Sequence, residues 1–214
     1  MTPLAPLLLL CALGLVVTLI AQRREQPIVG AISKLLASSC FVAIAWLGGA
    51  LELDWGRPLL LGLVLGLVGD VCLLGKQRRF FVAGLVAFLL GHLAYCVAFV
   101  VHGIDVGAAL LALTLLLVPL LVIDRWLDPH VPTELRVPVR AYLIVITLML
   151  GLALAAWQAG ASVCVLLGAL AFFVSDLAVA RDRFVVKQFS NRLWGLPAYY
   201  LGQVLLASWV MFAA

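Results

Sequence analysis

The sequence predicts an all-α polytopic membrane protein of about eight transmembrane helices, and three observations predict it. The 214 residues are 66% hydrophobic and only 11% charged, with a mean hydropathy of +1.23. Apolar runs of roughly 18 or more residues recur, the length that crosses a ~30 Å hydrocarbon core. The basic residues gather in short connections between those runs, and almost all fall in every second connection. A soluble domain needs more polar surface than this. The runs are too long for barrel strands and lack an alternation of period two, so helices are expected rather than a barrel. Too little polar sequence remains for a soluble domain, and residues 1–214 read as a single transmembrane domain.

The expected spans are 4–21, 31–50, 58–74, 80–101, 106–123, 137–157, 160–180 and 193–212. The first lacks a basic segment before it and is followed by Arg23-Arg24, so it reads as a retained helix rather than a cleaved signal peptide. Arg23, Arg24 and Lys34 flank the first connection, and Lys76, Arg78 and Arg79 fill the third. Arg125, Arg136 and Arg140 flank the fifth, and Arg181, Arg183, Lys187 and Arg192 fill the seventh. Of the 14 Lys and Arg residues, this leaves only Arg57 on the other side. The positive-inside rule makes the basic side cytoplasmic and both termini non-cytoplasmic. The same distribution removes nucleic acid as a partner, because these charges set topology and form no basic surface. Cys11, Cys40, Cys72, Cys96 and Cys164 lie inside apolar runs without CxxC spacing, so they read as small buried hydrophobes.

The two halves, 1–103 and 104–214, echo each other. Lys34 precedes Asp70 by 36 residues, and Arg140 precedes Asp176 by 36 residues. Each acid has a glycine eight residues before it, Gly62 and Gly168, and a small residue immediately before it. Gly84-Leu-Val-Ala-Phe-Leu-Leu-Gly-His92 aligns with Gly195-Leu-Pro-Ala-Tyr-Tyr-Leu-Gly-Gln203. The offset grows from 106 to 111, as a final cytoplasmic connection longer by five residues would produce. The expectation is a 4+4 parallel tandem repeat about an axis along the membrane normal.

An aspartate near a helix centre costs about 2.5–3.5 kcal/mol on insertion scales, so Asp70 and Asp176 need a partner or a water-filled cavity. Two acids at matching depth favour a shared polar pocket; the plainer alternative is that each pairs with a cytoplasmic Lys or Arg. His92, halfway along helix four, shares a face with Phe88 and Tyr95. Gln203, one turn beyond Tyr199, takes the matching place on helix eight. Tyr142 and Met149 read as packing residues. No zinc site and no cofactor are expected, since His92 is the one intramembrane histidine. There is no G-x-S-x-G elbow and no P-loop, and Ser175 has no nearby histidine in sequence.

The ordered set Lys34, Leu67-Val-Gly-Asp-Val-Cys-Leu-Leu74, Phe81-Val-Ala-Gly-Leu-Val-Ala-Phe-Leu-Leu-Gly-His-Leu-Ala-Tyr95, Val174-Ser-Asp-Leu-Ala-Val-Ala-Arg-Asp-Arg-Phe184 and Tyr199-Tyr-Leu-Gly-Gln203 resembles the YhhN family of lysoplasmalogenases. It departs at Leu35, where the family often has proline, and at Gly91 and Gly202, where alanine or serine is usual. The resemblance implies hydrolysis of the 1-alkenyl ether of a lysoplasmalogen, a membrane lysophospholipid. The products would be a fatty aldehyde and glycerophosphoethanolamine or glycerophosphocholine. A bacterial chain of this kind would sit in the cytoplasmic membrane and a eukaryotic one in the endoplasmic reticulum.

The implied catalytic residues are Asp70 and Asp176, assisted by His92. Vinyl-ether cleavage protonates the β-carbon, adds water to the resulting oxocarbenium ion and collapses a hemiacetal. It needs one carboxylic acid that still carries a proton and one ionised carboxylate nearby. Lys34 and Arg140, at the cytoplasmic mouth, would suit the lipid phosphate, or else simply fix topology as snorkelling cations. Tyr95, Tyr199 and Gln203 are expected to contact substrate. The competing function is a small proton-coupled transporter or lipid-binding membrane protein, because intramembrane acids and repeats suit transport as well. The basic asymmetry predicts that a reporter fused to the C-terminus will be found outside the cytoplasm. A cytoplasmic reporter would remove either one span or the orientation.

Overall fold

The computed structural model describes residues 4–75 and 77–212, and Lys76 of the third connection lies outside them. Among the described residues there are eight α-helices and no strands. They are α1 (Leu4–Arg23), α2 (Pro27–Leu47), α3 (Gly56–Cys72), α4 (Arg78–His102), α5 (Val106–Leu127), α6 (Thr133–Gln158), α7 (Val163–Ala180) and α8 (Phe189–Ser208). Seven are long and apolar enough to cross a membrane, in three cases counted with the short helical turn that follows. The exception, α3, has 17 residues and rises about 25 Å at ~1.5 Å per residue. The chain is an integral multi-pass membrane protein.

The boundaries have local causes. Pro27 occupies the first turn of α2, where its missing N–H is not needed. The Asp105 carboxylate accepts from the Ala108 N–H at 2.7 Å and starts α5, and the Ser162 hydroxyl accepts from the Cys164 N–H at 3.3 Å and starts α7. The seventh helix therefore begins at Val163, three residues later than hydropathy indicates. The intervening Gly160, at φ +103°, closes α6 with its N–H on the Trp157 carbonyl. Basic residues such as Arg23, Arg78 and Arg140 extend the helices past the apolar core at the end that carries the basic connections.

Successive helices pack as antiparallel pairs, α1 on α2, α3 on α4, α5 on α6 and α7 on α8. The halves join through α4 on α6 and α2 on α8. Advancing every helix by four positions exchanges these two joints and carries each successive pair onto another. Two close crossings are matched in the same way. A Cβ on Gly91 would stand 3.2 Å from the Gly62 carbonyl oxygen, and a Cβ on Gly202 would stand 2.9 Å from that of Gly168. Glycine lets these backbones approach where lipid supplies no hydrophobic drive for association. The outer faces carry leucine and valine, as at Leu9, Leu13, Leu111 and Val118. The interior holds the costly groups, among them Lys34, Ser38, Asp70, His92 and Gln203.

The Gly202 crossing generates a stability test. Any side chain there meets backbone atoms, Gly168 O at 2.9 Å and Phe172 N at 3.0 Å, which cannot rotate away. Gly202→Leu is expected to cost about 1–3 kcal/mol or more, seen as a lower unfolding midpoint in detergent. Gly30→Ala, whose Cβ would meet Ala21 at an ordinary 3.6 Å, should leave the midpoint unchanged or raise it.

Candidate active site

Lys34 and Ser38 lie one turn apart on α2 and therefore share a face, which looks onto Asp70 of α3. The Lys34 ammonium stands 2.9 Å from Asp70 Oδ1. Oδ2 accepts from the Ser38 hydroxyl at 2.5 Å and from the Tyr199 hydroxyl of α8 at 2.8 Å. Tyr200 donates to the Lys34 carbonyl at 3.2 Å and also lies 3.2 Å from Ser38 Oγ. Behind Tyr199, the Gln203 amide donates to its hydroxyl at 3.3 Å, and Tyr95 donates to Gln203 Oε1 at 2.7 Å. Asp70 is 2% exposed and Lys34 8%. The cost of burying this carboxylate is offset only when its second oxygen is also hydrogen-bonded, as Oδ2 is here.

Asp176, on α7, has different company. Its Oδ2 accepts from the Tyr142 hydroxyl of α6 at 2.8 Å. His92 of α4 brings Nε2 to 3.5 Å from the same oxygen, but neither ring nitrogen makes a well-aligned hydrogen bond among the described residues. The imidazole is held edge-on against Phe172 and Tyr142, with ring centroids at 4.6 and 5.2 Å. No Lys or Arg pairs with Asp176 among the described residues, and its side chain is 16% exposed against 3% for Asp70.

Both acids line one cavity of about 800 Å³, at the upper part of the ~300–1,000 Å³ range of small-molecule sites. Lys34, Tyr142 and Tyr199 complete its polar wall. Leu85, Phe88, Leu143, Ile146 and Phe173 form an apolar wall. The mouth is at the end carrying the basic connections, where Arg183, Phe184, Lys187 and Arg192 line it.

The structure thus brings Lys34, Asp70, Asp176 and Tyr199 of the expected residues to the cavity. His92 stands behind Asp176. Tyr95 and Gln203 are buried in the hydrogen-bond chain behind Tyr199 and are not on the cavity wall. Arg140 is also away from the cavity wall. Asp124 and Asp128, at the end of α5, accept from it at 2.9 and 2.8 Å and hold it on the outside, half exposed. Lys34 is inside, but its ammonium is committed to Asp70. Ser38, which the sequence does not single out, and Tyr142, which reads there as a packing residue, both bond to an acid. Ser38 is signalled by its place one turn beyond Lys34. Tyr142 is signalled by a hydroxyl two residues into the apolar run after Arg140, a depth at which it needs a partner.

The Lys34–Asp70 pair yields a double-variant test. Lys34→Met leaves a buried, unpaired carboxylate and is expected to lose about 3–5 kcal/mol of stability. Adding Asp70→Asn should recover most of that loss. A Lys34→Met protein with an unaltered unfolding midpoint in detergent would remove the pair from the stabilising interactions.

Residues 29–210, from the first turn of α2 to beyond α8, match the model of the YhhN family. Lysoplasmalogenase TMEM86B of Mus musculus is 34% identical over 208 residues, covering 95% of this chain and 84% of the relative. Lysoplasmalogenase TMEM86A of Bos taurus is 29% identical over 191 residues, with 84% and 77% covered. Lysoplasmalogenase TMEM86B of Homo sapiens is 32% identical over 180 residues, with 82% and 73% covered. No solved structure matches the chain. The family match takes in Lys34, both acids, His92 and every residue of the polar wall, and the chain belongs to the YhhN family.

Proposed function

We propose that the chain is a lysoplasmalogenase, hydrolysing the vinyl-ether bond of a 1-alkenyl lysophospholipid to a fatty aldehyde and a glycerophospho-headgroup. The observation that carries this is the convergence of Asp70 and Asp176 on one cavity with an apolar wall. Relatives named lysoplasmalogenases, matching most of the chain, support the same reaction. The two matched glycine crossings support the tandem repeat, and the basic residues support termini on the non-cytoplasmic face.

The two acids take different parts. Asp176 faces the cavity with no Lys or Arg paired to it among the described residues, and it is the proton donor. Its O–H proton passes to the β-carbon of the vinyl ether, leaving an oxocarbenium ion at the α-carbon and a carboxylate. Water adds to the α-carbon and returns a proton to that carboxylate. The hemiacetal then loses its hydroxyl proton as the α-carbon–glycerol oxygen bond breaks, and the glycerol oxygen takes up a proton. One water is consumed overall. Tyr142 orients the carboxyl, and His92 closes the space behind it. Asp70, paired with Lys34, forms a polar unit with Ser38 and Tyr199 whose fixed dipoles stabilise the cationic intermediate.

Aldehyde release from vinyl-ether, alkyl-ether and acyl lysolipids tests the reaction. The alkyl ether has no double bond to protonate and should be inert. Asp176→Asn keeps the shape but cannot deliver the proton. It should lower turnover about 10²–10⁴-fold with little change in unfolding midpoint. It is a cleaner probe than Asp70→Asn, which also disturbs the Lys34 pair. Near-normal aldehyde release by Asp176→Asn would sink the assignment of the donor.

A further inference from the structure

Resting on the lysolipid reading above, we infer that the cavity mouth is a phosphodiester subsite formed by Arg183 and Lys187 with support from Arg192. Lys34 and Arg140 already have carboxylate partners. Arg183 and Lys187 are exposed at the mouth, and among the described residues neither pairs with a carboxylate. Arg183 lies with its guanidinium carbon 4.2 Å from the centre of the Phe81 ring, a cation–π contact that restrains the side chain and uses none of its N–H donors on a carboxylate. Arg192 is only loosely held, 3.8 Å from Asp182 and 3.5 Å from the Gln22 amide oxygen.

The segment that carries these cations is built, not loose. A π-helical turn, Arg181–Val185, follows α7, a departure from α geometry that is frequent at functional sites. Asn191, 1% exposed, ties it down from α8. Its amide donates to Asp182 Oδ1 at 3.1 Å and to the Val186 carbonyl at 2.7 Å, and its oxygen accepts from Arg181 at 2.7 Å. Asp182 Oδ1 also accepts from the Gln188 N–H at 3.1 Å, so this oxygen of the acid nearest the cations is occupied by Asn191 and by the residue that precedes α8.

The spacing suits the proposed substrate. Arg183 follows Asp176 by seven residues, about 10 Å along a helix. In a 1-alkenyl lysophospholipid seven bonds separate the β-carbon from phosphorus, an extended reach of about 8 Å at the ~1.2 Å of advance per bond of a zigzag chain. A lipid with its vinyl ether at Asp176 would therefore present its phosphate to Arg183 and Lys187, with the alkenyl chain along the apolar wall. Discrimination between phospholipid and neutral ether lipid would follow from these two residues.

The test uses the full chain in detergent and a non-hydrolysable 1-alkyl lysophosphatidylcholine, with the uncharged 1-alkylglycerol of equal chain length as the second ligand. Arg183→Gln and Lys187→Gln should each raise the Kd for the phospholipid about tenfold and leave that for the alkylglycerol unchanged. Arg24→Gln, a basic residue on the same face but off the cavity, should change neither. Equal weakening of both ligands, or of neither, overturns the subsite. Displacement by inorganic phosphate with no distinction between the two lipids overturns it in favour of a free-anion site. The companion measurement is aldehyde release from the vinyl-ether lysophospholipid. Selective binding without aldehyde release removes the hydrolase and keeps the subsite. Aldehyde release with an unchanged KM in both variants removes the subsite and keeps the hydrolase.

Discussion

A lysine and an aspartate paired inside an apolar bundle, Lys34 with Asp70, impose the constraint on which the rest of the site depends. Lipid offers neither water nor counter-ions, so each group must find its partners among the helices. Satisfying Asp70 draws in Ser38 from α2 and Tyr199 from α8, and satisfying Tyr199 draws in Gln203 and then Tyr95 of α4. One ion pair thereby fixes the relative placement of four helices. Glycines at the crossings permit the close approach, and the polar chain decides its register.

Some contacts of the scaffold recur in both halves of the chain, and the chemistry does not recur with them. The α2–α8 and α4–α6 joints correspond, as do the Gly62–Gly91 and Gly168–Gly202 crossings. The residues placed on them differ. Phe88 stands where the second half has Tyr199, and His92 stands where it has Gln203. One carboxylate is enclosed by a cation and two hydroxyls; the other faces the cavity beside one hydroxyl and an imidazole. Two acids in unlike surroundings can perform unlike tasks, which acid–base cleavage of a vinyl ether requires.

The cavity is itself amphipathic, and its polarity runs along its length. Basic side chains surround the mouth, the acids and tyrosines stand on the wall, and leucine and phenylalanine side chains line the remainder. A single-chain amphiphile has the same order of parts: charged headgroup, ether linkage, hydrocarbon. The aromatic contact between Phe81 and Phe184, with Arg183 over the former, couples the mouth to the start of α4.

Hydropathy summed over about 20 residues determined the membrane class, the number of helices and most of their ends, because insertion depends on the local sum of side-chain transfer energies. The same reasoning singled out Asp70 and Asp176, since a charge in an apolar run is costly wherever the helix packs. Choice of partner escaped it. Lys34 and Arg140 occupy equivalent places in sequence, yet one turns inward to Asp70 and the other outward to Asp124 and Asp128. Ser38 and Tyr142 read as ordinary residues of apolar helices until α3 and α7 are set against them. A step of one residue turns a side chain by about 100° around the helix, so contact depends on rotation and crossing geometry. Those are properties of how helices pack against each other, and only the tertiary structure decided them.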